Sequence, residues 1–234
     1  MHRLFVLCTA CLLLAPASAS LGAQIGYPPT ASPYEDLRGK QAVTYGVGIL
    51  APGGDPAGVG PGTGVLLTAR YELRLTDALW LQTRLGYAPS MMRSVKDPLF
   101  SDAMRNYGSS IDQYLIGDVN FGINLTGNKS WKRIVPQVHG GLGFVSTLGE
   151  GYDLGAYRFG TKLQVSYGIG ARLATRGAWE AHVDLTHMFW KYKYPGDYGG
   201  NGGASDESIL GRQSLSAWQG NGVVQIGVSR FFFR

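Results

Sequence analysis

Hydrophobic and polar residues alternate along much of the chain. From Leu67 to Leu75, Leu, Ala and Tyr occupy the odd positions, whereas Thr, Arg and Glu occupy the even ones. A period of two is typical of a β-strand with one apolar and one polar face, because successive side chains point to opposite sides. A helix would spread these charges around its circumference. The segment is therefore predicted to be a strand.

Seven further segments show this alternation, or a rougher form of it, which makes eight predicted strands. Besides 67–75, they lie near 43–49, 79–87, 111–125, 132–144, 163–173, 179–189 and 218–232. The pattern is least regular in 132–144. Together these segments predict an all-β fold.

The links between the predicted strands are of two kinds. Three are short, at 76–77, 126–130 and 175–177, and four are long and rich in turn-forming residues, at 51–62, 88–110, 147–157 and 191–213. Short turns at one rim and long loops at the other are the layout of a transmembrane barrel. We therefore predict a closed antiparallel up-and-down barrel with both termini at the short-turn rim. Ten strands remain the alternative if one long loop contains a hairpin.

Residues 1–23 have the three-part layout of a secretory signal peptide. A positive start is followed by a twelve-residue apolar stretch that ends at Ala15, and then by small residues. Cleavage is expected after Ala19 or after Ala23. No apolar run is long enough for a transmembrane helix.

After the signal peptide we expect an N-terminal extension at 24–40 and the barrel at 41–234. Both cysteines, Cys8 and Cys11, lie inside the signal peptide and would leave with it. An exported chain without thiols is neither a disulfide-stabilised scaffold nor a cysteine-based metal or redox protein.

The composition fits a folded, glycine-rich β protein. Of the 234 residues, 35 are Gly and 44% are hydrophobic. That apolar share can form a core, which excludes a disordered chain, and the glycines lack the three-residue period of collagen. The formal net charge of +5 comes without a Lys/Arg cluster, so no nucleic-acid partner is expected.

Alternation alone leaves open which face is outside, because a lipocalin-type barrel turns its apolar face inward around a ligand. Aromatic residues favour the membrane, since they collect at strand ends as interfacial girdles do. They are Trp131, Trp179 and 231–233 at the short-turn rim, and Tyr87, Phe189, Trp190, Tyr192 and Tyr194 at the long-loop rim. We therefore expect the apolar face to meet lipid.

The polar strand faces carry a nearly balanced set of charges, which we expect to fill the lumen. Side chains just fill the interior of an eight-stranded barrel, and an unpaired buried charge is costly. Glycines at 141, 168 and 170 leave room on the same faces. The predicted lumen network consists of Arg70, Glu72, Arg74, Arg84, Asp118, Arg133, His139, Lys162, Arg172, Glu180, His182 and Asp184.

Several motifs resemble the small outer-membrane β-barrel family, which includes the OmpA barrel and OmpX-type proteins. They are GlyLeuGlyPhe at 141–144, TyrGlyIleGlyAlaArg at 167–172 and GlnIleGlyValSerArgPhePhePhe at 225–233. The resemblance implies export to the bacterial outer membrane and insertion by the barrel-assembly machinery. The family usually ends in an aromatic residue, whereas this chain ends in Arg234, so Phe232 or Phe233 would serve instead.

No catalytic, metal or cofactor site is predicted. The Gly-rich stretch 58–64 lacks the Lys and Ser/Thr that complete a phosphate-binding loop. His139 and His182 lie on polar strand faces, and the sequence names no third metal ligand. His187 lies where outer-membrane lipid A deacylases, by resemblance, have a histidine with a serine two residues later, but here that second residue is Phe189.

Basic residues lie in the long loops near the outer rim. Arg93, Lys96, Lys191 and Lys193 are candidates for contacts with lipopolysaccharide, because clustered cations bind phosphate well. The alternative is that these side chains only keep the loops hydrated.

Together these patterns predict a monomeric, non-enzymatic outer-membrane barrel that contributes to envelope structure and exposes its long loops. Its expected partners are outer-membrane lipid, lipopolysaccharide and, during biogenesis, the barrel-assembly machinery. Two alternatives stay open: a narrow channel or binding protein for small, hydrophobic molecules, and a lipid A-modifying enzyme.

Overall fold

The computed structural model describes the chain from residue 32 to residue 232, with short gaps. The described ranges are 32–37, 39–98, 100–101, 104–149, 157–175, 177–199, 208–211 and 213–232. The predicted signal peptide at 1–23 lies outside the described residues, and so does the first part of the predicted extension, up to residue 31.

The described chain contains two short strands and eight long ones. The short strands are β1 (Tyr34–Asp36) and β6 (Lys129–Trp131). The long strands are β2 (Gln41–Pro52), β3 (Gly64–Arg74), β4 (Leu79–Lys96), β5 (Asn106–Asn124), β7 (Ile134–Leu148), β8 (Thr161–Leu173), β9 (Trp179–Lys193) and β10 (Ser216–Phe232).

The eight long strands form one closed antiparallel barrel. Each pairs with the next along the chain, β5 pairs directly with β7, and the barrel closes where β10 pairs with β2, from Asn221 opposite Pro52 to Phe232 opposite Gln41. Every long strand therefore has a hydrogen-bonded neighbour on both sides, as a membrane-spanning sheet requires. The prediction of a closed antiparallel barrel with eight strands is confirmed.

Side chains of the wall alternate between the lumen and the outside. In β9 the side chains of Trp179, Val183 and Leu185 are exposed, whereas those of His182 and Asp184 are buried. Because successive residues of a strand point to opposite faces, the polar set lines the lumen and the apolar set forms the outer wall. Other apolar side chains exposed on the outside are Leu67, Leu85, Phe121, Leu163 and Ile226.

The two rims differ as the link lengths predicted. Long loops at 53–63, 97–105, 149–160 and 194–215 share one rim, which we call the long-loop rim, and the short turns share the other. Helix is confined, in the described part of the chain, to a 3-10 turn at Gly196–Gly199. Among the described residues, no helix has the length and apolarity needed to cross a membrane.

The predicted loop at 88–110 is shorter than expected, and this prediction is corrected. β4 continues to Lys96 and β5 already begins at Asn106. The register between the two strands shifts between Ala88 and Met91, a span that contains Pro89, while β4 itself is continuous. A bulge adds a residue on one strand and so breaks the period of two, which is why the alternation did not show the outer half of this hairpin.

The turn after β5 also differs from expectation. β1 pairs with β6, and of β6 only Trp131 pairs with β7. Arg133, predicted to lie in the lumen, is exposed in the following turn with a φ of 70°. Strand β7 begins one residue later, so its lumen-facing alternation does not include Arg133. Arg74 is only partly buried and donates to Asn128 at the same rim.

Candidate functional site

A triad of charges, Arg70, Glu72 and Arg172, lies in the polar part of the lumen. Glu72 lies 2.7 Å from Arg70 Nε and 3.4 Å from Arg172 Nη1, and all three side chains are buried. Arg172 also donates to Asn124 Oδ1 at 2.9 Å and lies 4.7 Å from the ring centroid of Trp80. Opposite charges in contact offset the cost of removing each of them from water.

The contact between Arg172 and Glu72 crosses the lumen. Arg172 is on β8 and Glu72 is on β3, and four strand steps separate β3 from β8 in either direction around the wall. The two strands therefore stand opposite each other in the barrel. Side chains that meet across the diameter span the lumen at this level.

Asp184 on β9 joins a second group of contacts to the triad. It accepts from Arg70 Nη1 and from Gln137 Nε2, each at 3.1 Å, and it lies 3.2 Å from His182 Nε2. Because Arg70 contacts both Glu72 and Asp184, the two groups form one continuous network across the barrel.

Asp118 on β5 organises the third group. It accepts from Arg84 Nε at 3.1 Å, from Asn120 Nδ2 at 2.6 Å and from Gln164 Nε2 at 3.2 Å. Hydrogen bonds to a carboxylate are stronger than those between neutral groups, and here they come from three different side chains. Glu180 is also buried, within electrostatic range of Arg172.

Inward-facing glycines provide the space for these side chains. A Cβ at Gly170 would lie 2.2 Å from Asp184 Oδ1, and one at Gly168 would lie 2.6 Å from His139 Nε2. The same imidazole nitrogen is 3.1 Å from Thr186 Oγ1. The lumen network therefore depends on residues without a side chain as well as on charged ones.

Towards the long-loop rim the lumen becomes apolar and aromatic. Phe159 makes edge-to-face contacts with Tyr114, Trp190 and Tyr192, at centroid separations of 5.0, 6.2 and 5.8 Å. Such pairs stabilise beyond the area that they bury. We call this buried cluster the aromatic cap; its members are Tyr114, Tyr157, Phe159, Trp190, Tyr192, Tyr194 and Tyr198.

Asp55 in the first long loop holds the cap in place. Its carboxylate accepts from the backbone amides of Ala57, Gly58 and Gly60, and also from Tyr194 Oη at 3.0 Å. Burial, with the Asp55 charge beside it, raises the pKa of the Tyr194 hydroxyl, so that this hydroxyl remains a donor. The first loop is thereby tied to the end of β9.

The cap corrects part of the predicted aromatic girdle. Trp190, Tyr192 and Tyr194 were assigned to the lipid interface, but all three are buried inside the barrel. Within β9 the residues Trp190 and Tyr192 have the same parity as Asp184, which faces the lumen. Parity along β9 was therefore the signal that could have identified the cap.

Two of the four predicted lipopolysaccharide contacts are also corrected. Arg93 is buried and lies 2.6 Å from Asp112 Oδ2, so its guanidinium is used within the barrel. Lys96 donates to the backbone carbonyl of Ala57 at 2.6 Å. The other two, Lys191 and Lys193, occupy outward positions at the end of β9.

Lys162, predicted to lie in the lumen network, does not contact it. β8 has reached the long-loop rim at this position, and the half-buried side chain places Nζ 4.9 Å from the ring centroid of Phe159. Lys162 is thus a rim residue, and its assignment to the charged layer is corrected.

The outer wall carries His187 between two aromatic rings. Its ring centroid is 4.6 Å from that of Phe189 and 5.8 Å from that of Tyr167. Phe189 occupies the place where a deacylase would have its serine, so no nucleophile accompanies this histidine along β9. In the part of the chain that is described, no group of three His, Cys, Asp or Glu side chains could hold a metal ion.

Comparison with solved structures finds outer-membrane barrels. Outer membrane protein OprG from Pseudomonas aeruginosa aligns with a TM-score of 0.52 and 10% identity, over 85% of this chain and 99% of that one. Neisserial surface protein A aligns with a TM-score of 0.49 and 12% identity, over 82% and 97%. Outer membrane protein AlkL aligns with a TM-score of 0.46 and 13% identity, over 89% and 96%. No protein-family model and no curated protein sequence matches the chain.

These identities are low, so the likeness to OprG establishes the fold alone. The chain has the fold of the eight-stranded outer-membrane barrels, and the predicted resemblance to that group is confirmed.

Proposed function

We propose that this protein is a non-enzymatic barrel of the outer membrane that contributes to envelope structure. Its lumen is sealed, and the aromatic cap closes it at the long-loop rim. The contact of Arg172 with Glu72 across the lumen is the observation that carries the proposal. A channel would need those two side chains to separate.

Three successive layers support a sealed lumen. The charged network lies deepest, and the aromatic cap closes the long-loop rim. Between them lie apolar side chains that are at most 1% exposed, among them Leu66, Ile116 and Met188. A polar solute would have to displace the cap, cross an apolar layer and break buried ion pairs.

The outer wall supports a structural role. Its apolar side chains suit the lipid interior, and its backbone groups are paired around the whole circumference. A barrel of this kind is held in the membrane by its surface, independently of any ligand.

Planar-bilayer recordings test the sealed lumen. We expect no steady conductance from the purified protein. Replacing both partners of the cross-lumen contact together with one residue from each of the other two layers, as E72A/R172A/M188A/F159A, should produce conductance, because each of the three layers then loses side chains that fill it. The matched control is Leu173→Ala, which shortens the neighbouring outward-facing side chain of β8 and should stay silent. Steady conductance of the unmodified protein would contradict the proposal.

A second candidate function is the binding of a small molecule, and one observation favours it. A cleft of about 400 Å³ opens near the long-loop rim, where Tyr157, Arg158 and Phe159 face Asp112 and Arg93. Its volume is within the range of ligand pockets. Uptake or binding of a small hydrophobic molecule that is abolished by Phe159→Ala would favour this candidate over the sealed barrel.

The absence of catalysis is also a proposal. On the outer face of β9, the neighbours of His187 are Leu185 and Phe189, and neither side chain is a nucleophile. Mass spectra of lipid A from cells with and without the protein should be the same. A change in acyl-chain number that depends on His187 would show that the protein is a lipid-modifying enzyme.

Export through a cleaved signal peptide belongs to the same proposal. The N-terminal sequence of the protein recovered from outer membranes should begin at Ser20 or Gln24. A chain that retains Met1 in the outer membrane would contradict it.

A further inference from the structure

The short strand β1 is attached to the side of the barrel opposite the long strand that follows it in the chain. All three residues of β1 pair with β6, which lies in the turn between β5 and β7. Strand β2 begins at Gln41 and pairs with β3 and β10. Around the wall, β7 is four strand steps from β2 in either direction. Between β1 and β2 the chain therefore passes from one side of the short-turn rim to the other.

This connection is too short to follow the rim. The five steps from Asp36 to Gln41 span at most about 18 Å. Eight strands about 4.8 Å apart and tilted by about 40° enclose a circumference of roughly 50 Å, so half of it is roughly 25 Å and the diameter is roughly 16 Å. The connection therefore crosses the mouth of the barrel instead of passing around it. We call residues 37–40 the strap.

Hydrogen bonds hold both ends of the strap. Leu37 N donates to the carbonyl of Asn128 at 2.9 Å, and the carbonyl of Lys40 accepts from Arg74 N at 2.8 Å. The side chain of Arg74, on β3, also donates to Asn128 Oδ1. The turn that carries Asn128 therefore leans over the mouth towards β3, and the strap completes the crossing.

An aromatic pair lies directly beneath the strap. Gly39 is buried with a φ of 86°, and a Cβ at this position would lie 2.6 Å from Phe231 Cδ1. The ring of Phe231 packs edge-to-face on Trp80 at 6.2 Å, and Arg172 Cζ lies 5.9 Å from its centroid. Phe231 was predicted to join the lipid girdle, and this assignment is corrected, because the ring faces the lumen. The strap thus covers the short-turn end of the charged triad.

We propose that the strap closes the lumen at the short-turn rim and opens without unfolding of the barrel. β1, which holds one end of it, has three residues, all exposed, whereas the wall strands have 11 to 19 residues. Elements with few buried contacts open at a lower free energy than core strands do. The inference rests on the proposed function, because the strap is a further layer of the same sealed lumen.

Opening of the strap would expose the lumen at one end only. Phe231 and Trp80 would become accessible from the short-turn side, while the contact of Arg172 with Glu72 and the aromatic cap still close the lumen above them. The strap therefore controls access to the short-turn end of the lumen without creating a channel.

Thiol labelling of Ala42→Cys in the full chain in nanodiscs tests the strap. Ala42 is fully buried near the start of β2, opposite Glu72, so it faces the lumen. Both natural cysteines, Cys8 and Cys11, lie in the predicted signal peptide. The probe is a small, charged, water-soluble methanethiosulfonate. We expect slow labelling while the strap is closed.

The variant E35P/L37P, made in the Ala42→Cys background, releases the strap. Hydrogen-bonded pairs alternate along an antiparallel ladder, so the amide of Glu35 points towards β6 as that of Leu37 does, and proline lacks this donor. The loss of two hydrogen bonds should raise the labelling rate roughly thirtyfold. The matched control, E35A/L37A, keeps both amides and should label slowly. In both variants the barrel should remain folded.

A disulfide provides a second measurement that does not require Ala42→Cys to fold. Leu37 is hydrogen-bonded to Asn128, so the adjacent pair, Asp36 and Lys129, is of the closer, non-hydrogen-bonded kind. D36C/K129C should form a disulfide on mild oxidation, seen as a mass loss of two hydrogens. D36C/K132C is the control and should stay reduced, because Lys132 lies in the turn beyond the last pair of β1 and β6.

Two results would overturn the proposal. Equal labelling rates of E35P/L37P and E35A/L37A would show that the strap is not the barrier at this rim. A failure of D36C/K129C to form its disulfide would show that β1 is not docked on β6. The proposed function fails separately, because steady conductance of the unmodified protein would contradict the sealed lumen while the difference in labelling persists.

Discussion

At the scale of single residues, the buried carboxylate of Glu72 is the shared partner of two arginines and of Gln82 Nε2. Replacing it as Glu72→Gln leaves both arginines buried without their shared counter-charge. We expect the free energy of unfolding to fall by about 3–5 kcal/mol. The measurement is a urea titration in which the folded fraction is read from unheated samples on an SDS gel, where a folded barrel migrates differently from the unfolded chain. The control Glu35→Gln, on exposed β1, should change it by less than about 0.5 kcal/mol. Unchanged stability of E72Q would show that the arginines have other sufficient partners.

The inward glycines permit a second residue-scale prediction. In Gly170→Ala the new Cβ would lie 2.2 Å from Asp184 Oδ1, so the Asp184 carboxylate, which accepts from Gln137 and Arg70, must shift. We expect a loss of roughly 1–3 kcal/mol, the usual cost of overpacking. Gly140→Ala on the outer face is the control, because its Cβ would meet no atom closer than 3.5 Å. Equal melting temperatures of the two variants would mean that the lumen is loosely packed.

At the scale of elements, the cap depends on the first long loop. Asp55→Ala removes the acceptor for three backbone amides and for the Tyr194 hydroxyl. We expect the loop at 53–63 to become sensitive to protease added outside intact cells, while the barrel itself remains folded. Asp197→Ala, which removes an exposed carboxylate of the 3-10 turn, should leave the loop resistant. A loop that stays resistant in D55A would show that the cap does not require this clamp.

The strands were predictable from sequence wherever the period of two was unbroken. β3 shows it throughout, so its faces were assigned correctly. β9 also shows it throughout, but Trp190 and Tyr192 at its end were assigned to the lipid interface although their parity is that of the lumen-facing residues. The outer part of the β4–β5 hairpin was missed because a bulge near Pro89 interrupts the alternation. Arg133 was misplaced because β7 starts one residue after it, and the end of a strand depends on turn geometry that alternation does not encode.

For the whole molecule, the sequence indicated which faces are polar but not which residues meet. Glu72 and Arg172 are 100 positions apart, and their contact depends on strand number and register. The aromatic cap was likewise hidden, because aromatic residues near a rim suit both a lipid girdle and a closed mouth. Parity along β9 indicates that Tyr192 points inwards, but only the closed barrel shows that it meets Phe159, in the loop before β8, in a cap.

The central claim is that the apolar faces meet lipid and the charged faces meet each other inside the barrel. Nitroxide scanning of β9 in lipid bilayers tests it most directly, since both natural cysteines, Cys8 and Cys11, lie in the predicted signal peptide. Labels at Ala181, Val183 and Leu185 should be relaxed strongly by oxygen, which concentrates in lipid, and weakly by a water-soluble nickel complex. Strong relaxation by the nickel complex at these three positions would place the apolar face in water and contradict the account.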